Sequence, residues 1–463
     1  MSGIRRWTII ITCILVLCSA GTVSGSEQAP DPGGTVWSDG VPLIRAVHED
    51  RGDPFPYTVN ESRGGVRVAY NYTPGDRRTF ICHDLVTNEN YTINATCAAI
   101  GEHCYVFFEE GQPFAQREAA DLVSAFDYSI YPVVTATFGN ETGVDRDPRM
   151  YIVLLDIRDD SLYNSTSATR GYFDPSTANN IDVVFLDIDQ WGTERKSTLA
   201  HEYQHLIHHS HDAHERKWID EGCSGYAQFL CFGSQNREKV RSFTRLPDTP
   251  LVVTDNQWAS SDDETTQAHY GASFLWILYL AENYGDRSGY PGHEAFLKDL
   301  VANELPGMQG VTTTLAQHGF AESFEDVFKR WVVANYLDAD GANPPFGYAG
   351  INITRYPQRA GWVNLSTQTV SSHSFPEQEL LPWSAAYYEV GTRDPGLISY
   401  TNDRGFWMEK VVNRDGEAVI VVSPLEDRGT FVLTVSEEAG NWSAGTAANG
   451  TPPLTPAAPG VAG

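Results

Sequence analysis

The sequence predicts an α+β chain: a small sheet beside one long helix, then a mainly helical half, then a C-terminal β-sandwich. Three observations predict it. Residues 150–157 (MYIVLLDI) and 181–188 (IDVVFLDI) are short β-rich runs that suit neighbouring buried strands. Apolar residues then recur at helical spacing through much of 217–337, bounded by Gly, Pro or acidic residues. Beyond Trp362 the pattern returns to alternation with Gly/Asp-rich turns.

In order along the chain, residues 26–65 are rich in Gly, Pro and charge and read as a propeptide or loose lead-in. Alternation at 66–70, 79–81 and 104–108 predicts a small β-rich region. Ala115, Ala119, Leu122, Phe126 and Ile130 repeat every three or four positions, which predicts an amphipathic helix over 114–131 that Pro132 ends. The two strands should lie side by side against the next helix. Further helices are predicted at 217–232, 269–284, 293–303 and 324–337. Strands follow at 385–390, 397–400, 407–412, 418–422 and 430–435, and the Gly/Thr/Pro/Ala-rich end from about residue 444 is expected to be disordered.

A chain of 463 residues suits two or three domains. Its 32 Lys plus Arg against 60 Asp plus Glu give a formal charge of −28 and a pI near 4.7, which repels nucleic acid and acidic membrane surfaces. Arg5 and Arg6 precede an apolar run from Trp7 to Cys18, with small residues through Gly25: an export signal too short to span a bilayer comfortably, expected to be cleaved near Gly25, with an uncleaved N-terminal anchor as the alternative. Asn-x-Ser/Thr triplets at Asn60, Asn71, Asn90, Asn94, Asn140, Asn164, Asn352, Asn364, Asn441 and Asn449 fit an exported, cell-surface or secreted glycoprotein. Of the cysteines after the signal, Cys82, Cys97 and Cys104 invite one disulfide. Cys223 and Cys231, about 12 Å apart on one helix, are core residues rather than a bridge.

The chemistry is concentrated in HEYQH, His201 to His205. Residues four apart on a helix face the same way, so both imidazoles can hold one zinc ion, with Glu202 beside them as general base for the attacking water. Catalytic zinc needs a third protein ligand. Glu221, in WIDEG on the following helix, competes with His211, six residues after His205. The extended motif that uses a ligand at that spacing has Gly where this chain has His208, and Met308 is the nearest downstream Met. That favours Glu221. Asp220 is a candidate to orient His201 or His205. His269 and Tyr270 are candidate donors to a tetrahedral oxyanion, whereas Tyr226 reads as packing. Asp145, Asp147, Asp156, Asp159 and Asp160 make calcium a second cofactor candidate, although they lack a regular calcium-loop spacing and suit ordinary turns better.

HEYQH followed by WIDEGCSGYAQ resembles the Glu-zincin (gluzincin) metallopeptidases, and most closely hyicolysin-like neutral zinc metallopeptidases, which also place Gln before the second His. The likeness is sharp over 198–228 and looser over 149–336. It implies a zincin-like catalytic core, Glu221 as third ligand and protein or peptide substrates. The domain plan is then a signal at 1–25, lead-in and β-rich region at 26–111, zincin-like metallopeptidase domain at 112–345, β-sandwich at 346–440 and tail at 441–463. The competing reading is a non-catalytic exported glycoprotein that keeps zinc for structure.

Overall fold

In the computed structural model the described residues are 36–38, 70–113, 115–141, 143, 145, 147–159, 167–176, 179–233, 236–259, 263–285, 295–338, 346–353, 365, 367–369, 378–390, 398–402, 405–412, 418–426 and 429–435. The export signal, most of the lead-in, all but Tyr70 of the strand expected at 66–70 and the C-terminal tail lie outside them.

The central sheet has six strands in the order β2-β3-β4-β5-β8-β7. They are β2 (Arg77–Asp84), β3 (Glu89–Ile100), β4 (Cys104–Glu109), β5 (Met150–Leu155), β7 (Gly171–Tyr172) and β8 (Val183–Asp187). The first three form an antiparallel meander, β4, β5 and β8 run parallel, and β7 returns antiparallel at the edge. Every residue of β5 and β8 is buried, so these strands read as continuous apolar runs with no alternation. The sheet curls: His83 on β2 donates its backbone N–H to the Tyr172 hydroxyl on β7, and Asn179 pairs with both the N–H and the C=O of Ile81. A short strand in the lead-in, β1 (Val36–Ser38), pairs in parallel with β6 (Ser167–Thr169), which ends two residues before β7 begins.

The connection from β4 to β5 is helical, and it corrects the sequence reading. Helix α1 (Gln116–Ala125) continues through a π-helical turn (Phe126–Ile130) into α2 (Tyr131–Phe138), so Pro132 does not end it. Proline lacks an N–H, and the turn before it widens so that Tyr131 N donates to Phe126 O, five residues back. The Asp127 carboxylate on this turn accepts the backbone N–H groups of Glu102 and His103 and so fixes the β3–β4 turn.

The second half is helical: α3 (Gly192–His211), α4 (Lys217–Phe232), α5 (Arg237–Arg245), α6 (Asp255–Ala259), α7 (Asp263–Asn283), α8 (Phe296–Val301), α9 (Met308–Gln317) and α10 (Phe324–Leu337). Trp218, Trp276, Phe324 and Trp331 pack ring against ring where α4, α7 and α10 meet. Gly222 permits the α4–α7 crossing, since a Cβ there would lie 2.5 Å from the Ser273 carbonyl oxygen.

Two small sheets follow. One holds β13 (Phe406–Val412), β14 (Ala418–Pro424), β11 (Ala386–Glu389) and β9 (Gln368–Thr369); the other holds β10 (Gln378–Leu380), β15 (Gly429–Val435) and β12 (Ile398–Asn402). Tyr388, Phe406, Ile420, Val422 and Phe431 fill the space between them. The opposite face of the four-stranded sheet presents Tyr387, Val419 and Val421 to the main core. Tyr387 stacks near Tyr336 and donates its hydroxyl to Val332 O on α10, while Trp383 packs on Phe324 and Phe328. The architecture is therefore mixed α+β, with extra sheets near the C-terminus that share the principal core.

The expected disulfide among Cys82, Cys97 and Cys104 is absent: all three thiols are free and buried. Strand register explains it, because Cys82 faces Tyr91, Cys97 faces Phe107 and Cys104 faces Met150, so no two meet across a ladder. Cys223 is buried and Cys231 partly so, both free. No helix among the described residues is long and apolar enough to cross a membrane.

Candidate metal centre

Helix α3 runs along the sheet beside β8 and carries HEYQH at its middle, where every residue is buried. Its entry is pinned by buried polar contacts. The Arg195 guanidinium donates to the carbonyls of Ile188 and Gln190, and the Gln190 amide links Thr198 Oγ1 to the Arg170 carbonyl. Helix α4 then returns antiparallel to α3 after a tight turn in which Asp212 Oδ1 accepts His214 N. Ser224 donates its hydroxyl to Gln204 Oε1, and Gln228 Nε2 donates to Ser197 O. Gln204, the residue before the second His, thus fixes the register of the two helices.

That register brings three donors together. His201 Nε2 and His205 Nε2 are 3.1 Å apart, and Glu221 Oε2 lies 3.3 Å from the first and 3.6 Å from the second. Among the described residues this is the one group of three or more His, Cys, Asp or Glu whose ligand atoms converge. Both Glu221 carboxylate oxygens are buried and accept no hydrogen bond from the described residues. A carboxylate withdrawn from water needs a positive partner, and two nitrogen donors plus one oxygen donor suit zinc. The residues present therefore fit a metal ion.

His211 is placed elsewhere: its Nε2 lies 2.7 Å from the carbonyl oxygen of Asn140. Asp220 Oδ1 lies 2.9 Å from His205 Nδ1, the carboxylate–imidazole contact that favours a proton on Nδ1 and leaves Nε2 its lone pair. Tyr203, inside the motif, donates to Glu141 Oε2 at 2.6 Å and packs on Phe126 of the π turn.

Glu202 is fully buried on the side of α3 that faces β7. Gly171 comes so close that an added Cβ would lie 3.2 Å from Glu202 Cγ, 2.8 Å from Thr198 Cγ2 and 2.9 Å from Phe185 O. Two residues on, Phe173 sets its ring 5.4 Å from that of His209. The sequence reading missed Gly171 and the edge strand, whose one signal was a Gly before an aromatic residue.

His269 stacks on Trp258 at 5.2 Å and bonds the Pro250 backbone; burial pushes its imidazole down to about 4, with the Lys217 ammonium adding to the shift. Tyr270 meets the same indole edge-on, with the Lys239 ammonium 4.3 Å from its ring centroid. Tyr226 packs between Phe138 and Phe229. The acidic residues considered for calcium that are among the described residues form no converging group of three. Asp147 accepts Tyr70 N and Arg149 N, and Asp159 accepts Thr169 N. Asp156 Oδ2 lies by the Gln112 amide, and Asp160 falls outside the described residues.

No protein-family model matches the chain. Among curated proteins it is 30% identical over 245 residues to the Neutral metalloprotease ShpI of Staphylococcus hyicus, a match covering 48% of this chain and 55% of that protein. The chain resembles a neutral metalloprotease. The likeness read from HEYQH and WIDEGCSGYAQ is thereby borne out, and the chain spans about half the length of the relative it matches.

Proposed function

We propose that the chain is an exported zinc-dependent endopeptidase acting on proteins or peptides. The observation that carries this reading is the convergence of His201, His205 and Glu221 with the buried Glu202 adjacent to them on α3. His201, His205 and Glu221 hold the metal, which when bound supplies Lewis acidity to the attacking water and to the scissile carbonyl. The Glu202 carboxylate takes the proton from the water as its oxygen bonds to the carbonyl carbon. It then delivers that proton to the nitrogen as the C–N bond breaks, leaving an acid and an amine.

Strand β7, the last strand of the sheet order, packs its Gly171 against Glu202. For the developing oxyanion the proposed donors are Tyr270 and His269. Their support is that α7 crosses α4 at Gly222, next to Glu221. Losing such a donor lowers kcat by roughly 100- to 1000-fold, which Tyr270→Phe and His269→Gln test separately. Export rests on the N-terminal signal pattern, and Asn71, Asn90, Asn94 and Asn140 of the glycosylation triplets are exposed.

The test is hydrolysis of a mixed peptide library by the purified mature chain with zinc, with a chelator, and as Glu202→Gln. Cleavage lost with chelator and in the variant supports the reading. Wild type and Glu202→Gln equally inert while zinc stays bound would overturn it in favour of a structural zinc site.

A further inference from the structure

Helix α3 holds a third buried histidine that the proposed chemistry leaves without a task. His208 is 1% exposed and lies one turn beyond His205. Its Nδ1 stands 3.2 Å from Asp220 Oδ1, the same oxygen that stands 2.9 Å from His205 Nδ1. One carboxylate oxygen thus addresses two imidazoles on the same helix. Two further acidic side chains lie near His208 and each also accepts backbone N–H groups: Glu215 Oε1 those of Arg216 and Gly307, and Asp212 Oδ1 that of His214. Gln204, whose Nε2 is 3.4 Å from His208 Nδ1, is held on its other side by Ser224.

The orientation of a metal-ligating imidazole follows the carboxylate on its far nitrogen. We propose that His208 is a positioning residue for the metal centre: it holds the Asp220 carboxylate so that Asp220 fixes the ring and tautomer of His205. This rests on the reading that His201, His205 and Glu221 bind zinc. The alternative is that His208 only fills space between α3 and α4, a role any side chain of similar volume would serve.

Zinc affinity of the full mature chain, measured by competition with a chromophoric chelator, separates the two without recourse to peptidase activity. His208→Leu keeps bulk and removes the donor, whereas His208→Asn places an amide N–H near the position of Nδ1. Zinc should bind at least about tenfold more weakly to His208→Leu and close to normally to His208→Asn. His208→Leu should add nothing further in an Asp220→Asn background, because both changes remove the same contact. Wild-type affinity in His208→Leu, or losses that add across the two sites, would overturn the proposal. If circular dichroism shows His208→Leu unfolded, the Asn variant decides: zinc bound as weakly as by Asp220→Asn overturns it, and near-normal binding supports it. A wild-type chain that binds zinc no better than His201→Ala sinks the metal-centre reading itself, which is a different failure.

Discussion

Gly171 lies against Glu202: a Cβ at residue 171 would stand 3.2 Å from the Glu202 Cγ and closer still to Thr198 Cγ2 and the Phe185 carbonyl oxygen. Because one of those neighbours is backbone, Gly171→Ala cannot be absorbed by a rotamer change alone. The variant is expected to lose about 1–3 kcal/mol of stability through overpacking. It should also lose kcat as the edge strand moves off α3. Denaturant unfolding and peptide hydrolysis together check this, and a stable, fully active Gly171→Ala would refute the close approach.

Metal content distinguishes the two candidates for the third ligand. Glu221 faces both imidazoles, while His211 faces the Asn140 carbonyl. Zinc measured after dialysis should be lost from Glu221→Ala and retained by His211→Ala, and the reverse pattern would move the ligand to His211.

Ser224→Ala removes the hydroxyl that Gln204 Oε1 accepts in the α3–α4 interface. Leaving a buried acceptor short of its donor costs about 1–3 kcal/mol. The same change should weaken zinc binding, since this contact sets the register that brings Glu221 to the histidines. Unchanged thermal stability would show that another donor replaces Ser224.

His269 predicts a pH dependence of stability. Burial, ahead of the Lys217 ammonium, lowers its imidazole from 6.5 to about 4. The unfolded chain therefore binds more protons between those values, and the contribution of His269, complete above about pH 6.5, is lost as pH falls toward 4. The loss is on the order of 3 kcal/mol. Asp145 and Asp187, each pushed up to about 6 by burial, act in the opposite sense over much of this range. The difference between wild type and His269→Gln isolates the histidine, and a difference that stays flat from pH 7 to 4 would rule the effect out.

What the sequence made legible follows from how local each signal is. Helices 217–232 and 324–337 were readable to the residue because a buried face repeats within the helix itself. Strands β11 to β15 were readable as short apolar runs between turns, whereas β9 and β10, of two and three residues, carry no pattern of their own and were missed. Strand β3 was missed because Thr, Asn and Ala dilute its pattern, and β7 because two residues carry none. Pro132 misled because a π turn supplies a bonding pattern that propensity does not encode. In the site, HEYQH placed two donors by helical spacing alone. The roles of Gln204, Ser224 and His208 depend on the register of two helices, which only packing reveals.

Tyr387 donates to Val332 across the seam between the C-terminal strands and α10, and the core continues through that seam. The strands and the helices are consequently bound to diverge together, since a change on one side alters the fit of the other. Such a unit is ill suited to being exchanged between proteins as a cassette. It is also expected to melt in a single calorimetric transition rather than as a bead on a string.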